Sequence, residues 1–179
     1  MKDEYRNSVD FFNERNLNIS EEDKELILAA YELKTPDNAG AIIRLAGNLG
    51  VKRVFFIHEH FEMRDRKMKR VAHSSLGHVD FQIVTEEEFW AKIPKDYAII
   101  ALETAKNSSN LFNTKFPDKT VLISGNERFG LPDSFLNKCQ SSVFIPIPGK
   151  TSSMNVSHAT TIAAFEWARQ HLAEAMQTK

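Results

Sequence analysis

Short apolar runs alternate along this chain with helix-like segments, and that alternation limits the available folds more than any other feature. The runs are LILAAYEL, RVFFIH, VDFQIV, YAIIALE, TVLISG and SVFIPI. Between them lie Ala39 to Leu49, a charged stretch from Glu62 to about His73, a segment opened by the capping-box pattern Thr85-Glu86-Glu87-Glu88, and a short piece after Pro132. A last helix is predicted from Asn155 to about Ala175. The rhythm predicts an α/β fold with about six strands, mostly parallel. Runs such as Ala98 to Leu102 carry no polar residue, so the sheet should have helices on both faces. Ligand sites in such sheets lie outside the carboxyl ends of the strands.

With 179 residues and 42% hydrophobic content, the chain can bury one core. The expected division is a charged, Asn-rich extension over 1–24 and one domain over 25–179. A formal net charge of −1 provides no overall basic field, so a polyanion would have to be met by a local patch. The single cysteine, Cys139, cannot form an internal disulfide, and the charged N-terminus lacks the apolar stretch of a signal peptide. A soluble, cytoplasmic protein is expected, because no apolar run approaches the ~18 to 20 residues of a membrane span.

Three segments share one construction, in which a strand end or turn delivers polar groups to a helix start. In Thr35 to Gly50, Asn38 is placed as a helix N-cap, Gly40 permits close backbone approach, and Arg44 interrupts an otherwise apolar helix. A guanidinium there must find a carboxylate, a phosphate or solvent. In Leu122 to Pro132, Gly125, Glu127 and Gly130 follow an apolar strand; Glu127 either orients a neighbour or pairs with Arg128 on the surface. In Phe144 to Ala159, Ile145 and Ile147 end a strand before a Pro/Gly turn, and Ser153, Asn155 and Ser157 open the last helix. Such residues are first of all caps, but free N–H groups at a helix start also bind ligands.

Other patterns are less informative. His58 and His60 share one side of a strand end, yet no third metal ligand is evident, so no metal site is assigned. Arg64, Arg66, Lys67, Lys69 and Arg70 form a basic cluster that either contacts phosphates or is a solvated helix face. Walker A, Gly-x-Gly-x-x-Gly and Gly-x-Ser-x-Gly patterns are all missing. The last helix places Val156, Ala159, Ala163 and Trp167 on one side, with Met154, Phe165 and Leu172 roughly opposite. A helix covering a sheet needs one apolar face, so the second predicts a homodimer or burial under the N-terminal extension.

Taken in order, NAGAIIR, LISGNERFGLP and IPIPGKTSSMNVSHA resemble the three motifs of the SpoU/TrmH family of RNA ribose 2′-O-methyltransferases in the SPOUT superfamily. The likeness covers roughly Glu25 to Ala175, and RVFFIH, the Ser74 to Gly77 turn and the Ala101 to Thr104 strand end also fit the pattern. It implies a C-terminal deep trefoil knot, a homodimer and an S-adenosylmethionine site. By the resemblance, that site would be walled by Leu102, Thr104, Ser124, Gly125, Gly130, Ile145, Ile147, Ser153 and Met154. Arg44, Asn38, Glu127, Ser153 and Asn155 match the family's catalytic set, with Arg44 as base or as electrostatic clamp. Met154 stands where leucine is usual, a conservative change. The resemblance implies an RNA substrate, tRNA or rRNA with tRNA slightly favoured. RNA choice would rest with the extension, the basic cluster or the dimer surface. Rival readings are a non-catalytic RNA-binding or assembly factor, a SPOUT base methyltransferase, and a small-molecule α/β enzyme.

Overall fold

Two strands that are continuous apolar runs form the centre of the sheet, β1 (Glu25–Tyr31) and β6 (Lys119–Ser124). A computed structural model describes residues 23–59 and 65–172, so nearly all of the predicted extension, together with His60 and Arg64, lies outside the described residues. The remaining strands are β2 (Arg53–Ile57), β3 (Asp80–Val84), β4 (Ala98–Leu102), β5 (Ser109–Asn110) and β7 (Ser141–Phe144). Their order is β3-β2-β1-β6-β4-β7-β5, and all registered pairs are parallel. The helices are α1 (Pro36–Leu49), α2 (Asp65–Ala72), α3 (Glu86–Lys92), α4 (Asp133–Leu136) and α5 (Val156–Leu172). Thr85 opens α3 with the expected capping box.

The two-residue side-chain period of β1 builds both cores. Leu26, Leu28 and Ala30 point to the face covered by α1, α2 and α5, where they meet Ile42, Ile43, Met68, Ala163 and Trp167. Ile27 and Ala29 point the other way, into a layer closed by Phe89 and Phe135. Each central strand is therefore buried on both faces, as its uninterrupted apolar sequence requires.

Four expectations are corrected. The sheet has seven strands rather than six, because the polar pair Ser109–Asn110 joins the edge beside β7; two residues carry no periodicity to read. Strand β7 stops at Phe144, leaving Ile145 and Ile147 in the following loop, since Pro146 has no N–H for the ladder. Helix α1 starts at Pro36, whose fixed φ suits the first helical position, so Asn38 lies inside the first turn and Thr35 holds the cap position. In α5, Leu172 is buried in the chain's own core and only Phe165, 47% exposed, remains of the second apolar face on that helix. Met154 precedes the helix and is partly exposed.

Chain order around the right-hand edge positions the site. From β4 the chain runs outward past the place of β7 to β5, then returns to lay β6 between β1 and β4. After β7 it turns back to α5, whose Trp167 Nε1 donates to Pro117 O and whose Gln170 accepts from Phe116 N and donates to Thr114 O. No described helix is long and apolar enough to cross a membrane.

Candidate active site

The loop after β6 is shaped by its two glycines. Asn126 and Gly130 exchange backbone hydrogen bonds at 3.1 and 2.9 Å, closing a tight hairpin. Gly130 has φ +66°, and a Cβ there would strike the Glu103 carboxylate; a Cβ on Gly125 would strike the Gly130–Leu131 backbone. Glu103, at the end of β4, accepts from Thr104 N and Leu131 N, both at 2.8 Å, and ties the β4 and β6 loops together. The glycines thus serve first to let the loop fold onto itself. Gly40 likewise admits a neighbouring helix, since a Cβ would lie 2.6 Å from Met68 O of α2.

Glu127, on that hairpin, reaches across to the start of α1. It accepts from Lys34 N at 3.0 Å, Thr35 N at 3.2 Å, Thr35 Oγ1 at 3.0 Å and Asn38 Nδ2 at 2.9 Å. The Thr35 hydroxyl therefore serves Glu127, and α1 has no side-chain cap. Burial pushes the Glu127 carboxyl up, but these hydrogen bonds, led by Lys34 N–H, outweigh it and hold the group below the ordinary carboxylate value.

Asn38 is buried, and its Oδ1 accepts from Asn155 Nδ2 at 3.0 Å. The Asn155 Oδ1 in turn accepts from Ser157 N at 2.9 Å, Ser157 Oγ at 2.6 Å and His158 N at 3.3 Å, which makes Asn155 the cap of α5. Cap and cross-chain tether are one side chain. Glu127, Asn38 and Asn155, one from each of the three segments, thus form a single hydrogen-bonded chain.

Beside this chain, the ends of β4 and β6 and the loop after β7 enclose a cleft of about 260 Å³. All nine residues expected around a methyl donor line it: Leu102, Thr104, Ser124, Gly125, Gly130, Ile145, Ile147, Ser153 and Met154. Glu127 lines it as well. Its walls combine aliphatic groups with hydroxyls, which suits a ligand carrying both a flat heterocycle and a polar tail.

Arg44 is not brought into that cleft. It is exposed on α1 and makes no hydrogen bond or ion pair among the described residues. Six positions after Asn38, it lies roughly 120° around the helix from it. Of the basic cluster, Arg66, Lys67, Lys69 and Arg70 are exposed on α2, with Lys67 paired to Asp37 of α1. His58 Nε2 lies 3.3 Å from the Glu32 carboxylate, and no group of three metal-binding side chains occurs among the described residues.

Two residues that hold the site were not singled out from sequence. Glu103 follows directly on an apolar strand end, a position where a carboxylate signals a task. Asn126 accepts from Arg128 N and Phe129 N and donates to Glu32 O, fixing the hairpin; an Asn after Gly125 is a turn signal.

A parallel α/β sheet with a ligand-sized cleft over its strand carboxyl ends, beside a locked polar chain, defines the class: an α/β ligand-binding protein whose site is assembled from distant segments. Residues 25–165 match the family described as the SpoU rRNA Methylase family, and the chain belongs to it. It is 33% identical over 146 residues to the 23S rRNA (guanosine-2'-O-)-methyltransferase RlmB of Blochmanniella floridana, covering 81% of this chain and 58% of that one. A structure concerned with 2-OH methylation of C/U34 on tRNA matches with 29% identity and a TM-score of 0.76, over 84% of this chain and 98% of the other. The SpoU methyltransferase AviRb from Streptomyces viridochromogenes, in complex with AdoMet, matches with 26% identity and a TM-score of 0.73, over 87% and 61%. The chain spans between about half and two thirds of the RlmB relatives it matches.

Proposed function

We propose that this protein is an S-adenosylmethionine-dependent RNA methyltransferase that modifies a ribose 2′-hydroxyl. The observation that carries this reading is the Glu127–Asn38–Asn155 chain beside the cleft. The names of the relatives add the reaction class, and the AdoMet-bound AviRb structure adds the cofactor.

The residues fit the cofactor. Leu102, Ile145 and Ile147 offer an apolar slot for a heterocycle, and Gly125 and Gly130 line the cleft beside them. Bound there, S-adenosylmethionine would supply an electrophilic methyl group. The protein's part is to place the 2′-hydroxyl, exclude water and favour loss of its proton. Glu127, Asn38 and Asn155 fix the loops that set this geometry, and Ser153 on the cleft wall is positioned to contact the cofactor or the hydroxyl. Arg44 is assigned as a clamp on the target phosphate. A guanidinium gives up its proton too reluctantly to make a good base, whereas one that faces solvent without a partner among the described residues is open to an oxyanion.

Transfer RNA is the favoured substrate, supported by the likeness to the structure concerned with C/U34 on tRNA, at a TM-score of 0.76. We take residues 25–179 as one methyltransferase domain, and the exposed basic face of α2 as an RNA contact. A trefoil knot is supported by the path of 103–118 around β7 and by the ties from α5 back to that segment. A homodimer is supported by exposed Phe165 on α5, and a cytoplasmic setting by the lone cysteine.

The test is transfer of labelled methyl from S-adenosylmethionine to RNA from cells lacking the gene, followed by alkaline hydrolysis. Label in alkali-resistant dinucleotides is expected, because a 2′-O-methyl group blocks cleavage of the adjacent phosphodiester. Label in mononucleotides would make it a base methyltransferase, and no label would leave a non-catalytic RNA-binding factor.

A further inference from the structure

Phe129 stands 76% exposed, the most exposed of the large apolar side chains among the described residues. It is held there by the hairpin: Asn126 Oδ1 accepts from Arg128 N at 2.8 Å and from Phe129 N at 3.3 Å, and Gly130 closes the turn. A single exposed ring is ordinary on a protein surface, so its surroundings decide what it can do.

Two cations flank the ring, Lys34 Nζ at 5.3 Å and the Arg128 guanidinium at 5.7 Å from its centroid. The carboxylates that could answer them are engaged elsewhere. Glu127 accepts from Lys34 N, Thr35 and Asn38, and Glu32 faces His58 and Glu59 N. Neither Lys34 nor Arg128 forms an ion pair among the described residues. A solvent-exposed ring with two cations over it, neither of them in an ion pair, is complementary to a nucleotide, whose base can replace a cation at the ring face while its phosphate takes the charge. Arg128 also lines the cleft, so the platform adjoins it.

We propose that Phe129, with Lys34 and Arg128, is a base-stacking platform for an unpaired nucleotide next to the one whose ribose enters the cleft. This rests on the methylation reading for the identity of the cleft's substrate. The ring takes the base and the two cations take the adjoining phosphate. Stacking of this kind tolerates any base, so the platform supplies affinity and placement, not sequence choice.

The experiment uses the full chain with Phe129→Ala, Phe129→Leu and Phe129→Trp, and the pair Lys34→Gln/Arg128→Gln. Binding of a fluorescein-labelled, mixed-sequence single-stranded RNA 12-mer is followed by anisotropy, S-adenosylmethionine binding by calorimetry, and oligomeric state by light scattering. Phe129→Ala and Phe129→Leu should each weaken RNA binding on the order of tenfold, and Phe129→Trp should retain it, with cofactor affinity and oligomeric state unchanged. The Gln pair should lower the slope of log affinity against log salt by about one. Wild-type binding by Phe129→Ala, rescue by Phe129→Leu, no RNA binding by the parent chain, or a change of oligomeric state alone would each overturn the platform. RNA binding that depends on Phe129 without methyl transfer would keep the platform and remove the methylation reading. Methyl transfer with an unchanged KM for RNA in Phe129→Ala would do the reverse.

Discussion

The side-chain amide of Asn155 donates to the side-chain carbonyl of Asn38 at 3.0 Å, across 117 positions of sequence. Because the Asn38 Nδ2 is engaged by Glu127, the amide has one orientation that satisfies both partners. Asn38→Ala leaves a buried gap and two polar groups without their partner. A loss of about 1 to 3 kcal/mol in urea unfolding is expected, with methyl transfer falling further than cofactor binding. Unchanged unfolding midpoints and rates would show that the chain of amides holds nothing in place.

Arg44 poses the opposite case. Exposed on α1 and without a partner among the described residues, it contributes little to folding, so Arg44→Ala should shift stability by less than about 0.5 kcal/mol. Methyl transfer should be abolished while S-adenosylmethionine affinity stays within a fewfold. Near-full activity in the variant would refute the clamp.

Acid should act through Glu127. Its folded pKa lies below the ordinary 4.5, so between the two values the unfolded chain binds more protons and stability rises with pH. The contribution is complete above the unfolded value and disappears as pH falls through the folded one. Urea midpoints measured from pH 6 down to pH 3 should therefore fall more steeply for the parent chain than for Glu127→Gln. Parallel curves would mean that the carboxylate gains nothing from its four donors.

The hairpin offers a paired test in glycine. Gly130→Ala combines an unfavourable positive φ with a collision at Glu103, and a cost of roughly 1 to 3 kcal/mol is expected together with weakened cofactor binding. Gly149→Ala, where a Cβ meets nothing within 4 Å, should be near neutral in both calorimetry and thermal unfolding. Equal effects at the two positions would remove the special role of Gly130.

Much of the architecture could be read before any coordinates, because buried parallel strands are written as unbroken apolar runs and such runs recur here at regular intervals. What escaped has physical reasons. Ser109–Asn110 joins the sheet through backbone alone, which no side-chain pattern records. Asn38 looks like a cap by type, yet Pro36 sets the helix start two residues earlier and frees the amide for Asn155. The second apolar face of α5 shrank because Leu172 found a place in the chain's own core. At the site, residue types and order pointed to the cleft, but Glu103 and Asn126 act by anchoring loop backbone. That depends on three-dimensional closure, and a linear reading of strand ends does not reveal it.

The last wall of the cleft to be made comes from residues 144–159. A ribosome adding about 5 to 20 residues each second therefore carries a polypeptide whose pocket is still missing one side for seconds after Glu127 has been added. Nascent chains and C-terminally truncated fragments would carry Asn38 and Glu127 without the amide that locks them to the last helix. Competence in such a protein waits for that last wall, however early the rest of the cleft has been made.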